Sequence, residues 1–189
     1  AAEKVFGKPL RSMPKFEKAK RVLSIDSDFL HSGPASLQYA RGFAKTRRVE
    51  NSEEATKMNR LYSVESGMTS TGAMGDHRLR LSSSQMGAFT AKIALALGIA
   101  LPSKAQSAAD SLSVDSKWIE ECAADLKEYV GKALVIAGEH LPESVHALVI
   151  AINAELKAPI DYLEGPAAAA GIDVAAARLQ EGVKTLVVL

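Results

Sequence analysis

The sequence predicts an α/β domain of Rossmann-like form: a parallel sheet of about four strands in a three-layer arrangement, with helices on both faces. Three observations carry this. Four short runs, RVLSID (21–26), RLYSVES (60–66), KALVIAG (132–138) and KTLVVL (184–189), are apolar on both sides or nearly so, as strands covered by helices on either face are. Helical patterns lie between them. The runs begin about 40 to 70 residues apart, enough chain for crossover helices between parallel strands.

The intervening elements follow in order. Residues 34–47 start on Pro34 after Gly33, a proline suited to a first helical turn. SSSQMGAFTAKIALALG (82–98) opens on serines that could cap a helix and closes on Gly98. SVDSKWIEECAADLKEYVG (113–131) spaces Trp118, Ile119, Cys122, Leu126 and Val130 by threes and fours and ends on Gly131. PESVHALVIAINAELKA (142–158) starts on Pro142, and DVAAARLQEG (173–182) reads as a last short helix. Three segments read as irregular: a polar loop at 49–58, a Ser/Ala-rich linker at 99–114, and a long connection at 159–171. The ending on KTLVVL reads as a strand cut short, so a fragment of a longer protein is expected. A flavodoxin-like order is predicted, with the first and third runs adjacent and the loops after Asp26 and Gly138 side by side at a switch point.

The 189 residues suit one substantial domain. Hydrophobic residues make up 47% and aromatics only 5%, so the core should be mainly aliphatic. The net charge is +1, which argues against a nucleic-acid partner. Lys45, Arg47 and Arg48 are followed by Glu50, Glu53 and Glu54 and read as a solvated helix end. The single cysteine, Cys122, can neither close an internal disulfide nor hold an iron–sulfur cluster alone. It lies on an apolar stripe and reads as a buried thiol, and Trp118 as core. No apolar run approaches the roughly 18 residues of a membrane helix.

Chemistry is expected in the loops after the strands. Asp26 and Asp28 could accept ribose hydroxyls, with helix amides after Gly33 facing a phosphate. Yet the G-x-G-x-x-G fingerprint is missing, and the plainer reading has Asp28 or Ser32 capping the helix. The loop ESGMTSTGAMGDHRLRL (65–81) suits backbone contacts to a ligand and carries Ser66, Thr69 and Asp76. The loop AGEHLPESVH supplies Gly138 for close backbone approach, with Glu139 and His140 as acid and base. His31, His77, His140 and His146 lack the spacing of a helical metal pair and read as structural or surface groups, so no metal site is expected. Ser66 and Ser144 have no evident base partner, and no nucleophile elbow or P-loop is present. Asn153, polar within an apolar helix, either caps a neighbouring segment or contacts a ligand.

FGKPLRSMPKFEKAKRVLSIDSDFL, SGPASLQYARGFA, MNRLYSVESGMTSTGAMGDHRLRL and GKALVIAGEHLPESVHALVIAINAEL together resemble a known family. It is the molybdopterin-oxidoreductase-like region of the large iron–sulfur subunit of alternative complex III, the bacterial quinol:electron-acceptor oxidoreductase. The resemblance spans roughly residues 1 to 160. It implies one molybdopterin-oxidoreductase-like domain over 1–189 and a structural, non-catalytic role in a respiratory complex. It also implies a periplasmic place at the inner membrane without a span of its own. The implied partners are the rest of the parent subunit, which holds the iron–sulfur clusters, and the haem and membrane subunits.

The wider molybdoenzyme family binds a guanine-dinucleotide form of molybdopterin through a loop reading Ala-Asp, then Arg-Pro-Gly-Thr-Asp. Asp76 matches the first acid. Ser83 and Ser84 replace Pro-Gly, and Gln85 and Met86 replace Thr-Asp. A methionine accepts no hydrogen bond from guanine as a carboxylate does. The expectation is therefore an emptied dinucleotide pocket, with no molybdopterin and no cofactor in this chain. Its remnant lining would be Asp26, Ser66, Thr69, Asp76, Gly138 and Glu139. The alternatives are a guanine-dinucleotide-molybdopterin-binding domain of a molybdenum oxidoreductase, using those six residues, and a stand-alone nucleotide or small-molecule enzyme.

Overall fold

The computed structural model describes residues 2–164, 172–180, 182 and 185. In chain order the elements are α1 (Ala2–Phe6), β1 (Leu10–Pro14), β2 (Arg21–Ile25), α2 (Ser36–Lys45), α3 (Ser52–Ala55), β3 (Arg60–Glu65), α4 (Ser70–Ala73) and β4 (His77–Arg80). They continue as α5 (Met86–Ala96), α6 (Ser103–Asp110), α7 (Ser116–Glu128), β5 (Ala133–Ala137), α8 (Glu143–Glu155), β6 (Ile160–Glu164) and α9 (Ile172–Gln180).

Four strands form a parallel sheet in the order β4-β3-β2-β5. β2 is central. Its five residues are all buried, as are Leu61–Glu65 of β3 and Ala133–Ile136 of β5, so the apolar runs reflect burial on two faces. Side chains alternate across the sheet. Leu23, Ile25, Val64 and Val135 face a core built with α5, α7 and α8. Val22, Leu61, Leu134 and Ile136 face a smaller core with Phe16, Phe29 and Phe43, the last on α2. The expected Rossmann-like, three-layer arrangement is present, with β2 next to β5 as predicted.

Helix boundaries follow local chemistry. α7 is capped by Asp115, whose carboxylate accepts from Lys117 N–H at 3.0 Å. Its apolar stripe buries Ile119, Cys122 and Leu126. Gly131 follows with φ +81°, a left-handed conformation that favours glycine.

Several expectations need correction. Among the described residues the fourth strand of the sheet is β4, within the segment read as a loop at 65–81; the run at 184–189 lies outside the described residues apart from 185. The 99–114 segment is not a plain linker: α6 packs on α5, and Ala109 and Leu112 are buried. The polar loop at 49–58 holds α3. The connection at 159–171 begins with β6, which pairs antiparallel with β1 from Leu10↔Glu164 to Pro14↔Ile160; residues 165–171 lie outside the description. The serines at 82–84 do not cap α5, for Ser82 Oγ bonds Gln85 Oε1 instead.

Candidate functional site

The parallel strands end together, and the loops that leave them meet around Asp26. This residue sits at φ +46°, an uncommon backbone conformation for a non-glycine that Asp tolerates better than most. Its carboxylate has four protein donor groups. Ser66, after β3, donates from its backbone N–H at 2.9 Å and from its hydroxyl at 3.1 Å. Ser83, after β4, donates from Oγ at 2.9 Å. His140, after β5, places Nε2 3.1 Å away. One buried carboxylate thus ties the C-terminal ends of all four strands of the sheet. Burial pushes its pKa up, but the Ser66 amide, His140 and the serine hydroxyls outweigh that and hold it below the usual carboxylate range.

Gly138 explains why β5 and β2 can end so close together. A Cβ there would lie 2.0 Å from the Asp26 carbonyl oxygen, which no side chain allows. Asp28 is used differently from the expected helix cap. Its Oδ1 accepts from Thr71 N–H at 2.9 Å and Thr71 Oγ1 at 2.8 Å, while α2 has no side-chain cap. Thr69 caps α4 by accepting from Gly72 N–H, and its hydroxyl donates to Glu65 at 2.6 Å. Glu65 is 2% exposed and also receives Arg78 Nε at 2.5 Å.

Beside this knot lies a crevice of about 810 Å³. It runs from the ends of β2 and β5 along the outer edge of β5. The β1–β6 ribbon forms the opposite wall through Leu10, Ser12, Pro14, Ile160 and Tyr162. Asn153 of α8 closes part of that outer edge. Its Oδ1 accepts from Val135 N–H at 2.9 Å and its Nδ2 donates to Val135 C=O at 2.7 Å. Of its two expected roles, capping a neighbouring segment is the one seen, and an edge strand that would otherwise invite pairing is blunted.

Asp26, Ser66, Thr69, Gly138 and Glu139 of the expected lining border this crevice; Asp76 does not. Asp76 immediately precedes β4, at the opposite end of the sheet. There it makes a bidentate pair with Arg47 at 2.7 and 2.8 Å and accepts from Leu61 N–H at 2.7 Å. His77 stacks on Tyr62 at that same end, whereas His140 and His146 border the crevice. Cys122 is fully buried and its thiol pKa is pushed up by burial and by Asp125. Trp118 packs edge-on against Tyr62 and Phe89 in the core. Among the described residues no group of three His, Cys, Asp or Glu side chains is placed to hold a metal ion, and no helix is long and apolar enough to cross a membrane.

Sequence reasoning missed Ser83, Arg11, Tyr39 and Tyr162. Ser83 carries a weak signal, since it lies in the serine run 82–84 directly after Leu81. The other three lie on elements whose place beside the crevice depends on how β1 and β6 pair and how α2 packs. Compared with models of known protein families and with curated proteins, the sequence matches none.

Proposed function

We propose that this chain is a non-catalytic structural domain of the large iron–sulfur, molybdopterin-oxidoreductase-like subunit of a respiratory quinol-oxidising complex. In this reading it holds the cluster-bearing module and the haem and membrane subunits in electron-transfer geometry on the periplasmic side of the inner membrane. The resemblance of its loops to that family supplies the context. The observation that carries the reading is the state of Asp26. At the strand ends where open α/β folds place their ligands, both oxygens of this carboxylate are engaged by Ser66, Ser83 and His140.

The volume of the crevice favours a second reading, a domain binding the guanine-dinucleotide form of molybdopterin, because small-molecule sites span roughly 300–1,000 Å³. The residues present do not fit that group. A dinucleotide carries an anionic diphosphate, whereas the crevice is bordered by three carboxylates, Asp26, Asp28 and Glu139. Arg11 is the one Arg or Lys among its described lining residues.

Metal analysis and nucleotide release on denaturing the natively purified intact subunit decide between the two. Absence of molybdenum and of guanine nucleotide is expected; a stoichiometric guanine nucleotide overturns the structural reading.

A further inference from the structure

The crevice has walls and a charge of its own, and both bear on what it accepts. Its lining mixes polar groups with apolar and aromatic ones, and Tyr39 of α2, Tyr162 of the ribbon and Ile150 of α8 border one continuous space. Neither tyrosine hydroxyl makes a hydrogen bond among the described residues. Burial, first of all, pushes the Tyr39 hydroxyl pKa up, with Arg11 opposing and Glu139 reinforcing it. All three side chains therefore act on the same mouth.

Charge sets the preference. Among the described lining residues three carboxylates face one guanidinium, and that residue, Arg11, is exposed on the ribbon. Two features oppose a negative field. The α2 and α8 N-termini open toward this end of the sheet, each equivalent to roughly half a positive charge. His140 and His146 add charge when protonated. At neutral pH two half charges do not cancel the carboxylate excess, and Glu139 and Glu143 already complement the start of α8. Asp28 uses Oδ1 for Thr71, and its Oδ2 accepts no hydrogen bond from the described residues. Glu139 is exposed and has no hydrogen-bond or ion-pair partner among them.

We propose that the crevice binds an organic cation: an ammonium or guanidinium group on an apolar body, the body lying against Tyr39, Tyr162 and Ile150 and the charge facing Asp28 and Glu139. Aromatic faces attract such groups in addition to the carboxylates. A free amine and a Lys or Arg side chain of a partner protein share this chemistry. The proposal does not depend on the assembly role and is tested separately from it.

The full chain is titrated at fixed ionic strength near pH 7 with 2-phenylethylammonium, 2-phenylethanol and 3-phenylpropionate. Binding is read by calorimetry and by amide NMR shifts at Gly33, Gly67 and Ala137. The cation is expected to bind about tenfold or more tightly than the carboxylate, with the alcohol between them. Equal binding of all three, preference for the carboxylate, or no shift with the cation at about 10 mM overturns the proposal. Glu139→Gln removes an exposed, unpaired charge without touching the fold and is expected to weaken the cation about two- to fivefold. Glu139→Lys should weaken it further, and Asp28→Asn, which can retain the Thr71 contact, likewise. Unchanged affinity in folded Glu139→Lys protein counts against the proposed site. A capped Ala-Leu-Arg-Leu-Ala peptide separates the sources. Tighter binding than the amine assigns the cation to a partner's side chain, and weaker binding to a free small molecule; both results support a cation site.

Discussion

The two ends of the parallel sheet are each tied together by one aspartate, and the two ties differ in kind. At the N-terminal end, Asp125 of α7 accepts from Arg21 Nε at 2.6 Å, Arg60 at 2.8 Å and the Tyr62 hydroxyl at 2.7 Å. Arg21 also stacks over Tyr129, 3.8 Å from the ring centre. At the C-terminal end Asp26 gathers serines, an amide and an exposed histidine. The first tie is made mainly with full charges, two guanidinium groups and one hydroxyl on a carboxylate that is buried with Arg21. The second is made with mostly neutral groups beside an open crevice. A parallel sheet can therefore be closed ionically at one end and mostly by neutral hydrogen bonds at the end that faces the crevice.

Breaking the ionic tie should have the largest effect. Asp125→Ala leaves Arg21, which is 7% exposed, without its counter-ion. A loss of about 3–5 kcal/mol is expected in urea unfolding; a loss below about 1 kcal/mol would show that Arg21 reaches water instead. At the other end, Gly138→Ala forces the β5 loop away from the Asp26 carbonyl. About 1–3 kcal/mol should be lost, with NMR shifts concentrated at Ser66, Ser83 and His140 and little change around Tyr62. Between the two in place, Asn153→Leu strips Val135 of both backbone partners. It should lower stability by about 1–3 kcal/mol and raise self-association, measured by light scattering.

Acid sharpens the comparison. Asp26, Asp76 and Asp125 all have folded pKa values below their ordinary 3.8, because hydrogen bonds outweigh the upward push of burial. The folded state therefore holds these protons less readily than the unfolded chain. Their stabilisation is complete above about pH 4 and fades as pH falls through the depressed folded values. Urea-derived stability between about pH 4 and 2 should fall less steeply in Asp26→Asn than in the parent. The smallest effect belongs to the surface: Lys4→Ala removes an exposed pair with Glu143, and the melting temperature should not move.

The elements legible in the sequence share a physical cause. Arg21–Ile25, Arg60–Glu65 and Ala133–Ala137 are buried on two faces, so their composition alone marks them. His77–Arg80 is an edge strand of mostly exposed residues, and Leu10–Pro14 and Ile160–Glu164 form a largely exposed ribbon. Nothing in such segments records a partner strand. The site divides in the same way. Asp26, Ser66, Thr69, Gly138 and Glu139 converge because parallel strands deliver their outgoing loops to one end. Asp76 shares a segment with Ser66 and Thr69 and matches the first acid of the molybdoenzyme loop, yet it lies elsewhere. The chain between parallel β3 and β4 must return to the start of the sheet, and that return carries Asp76 to the far end.

The sequence by itself determined the layered α/β class, three of the sheet's four described strands and the end of the sheet where polar loops gather, because continuous apolar runs and helical spacing are local properties. Only the tertiary structure decided that Asp26 is consumed by Ser83 and His140, that Asn153 plugs the edge of β5, and that a ribbon from both flanks of the sheet walls the crevice. Each of these depends on which distant segments meet, and pairing across long loops is chosen by the packing of the whole chain, which no single stretch encodes.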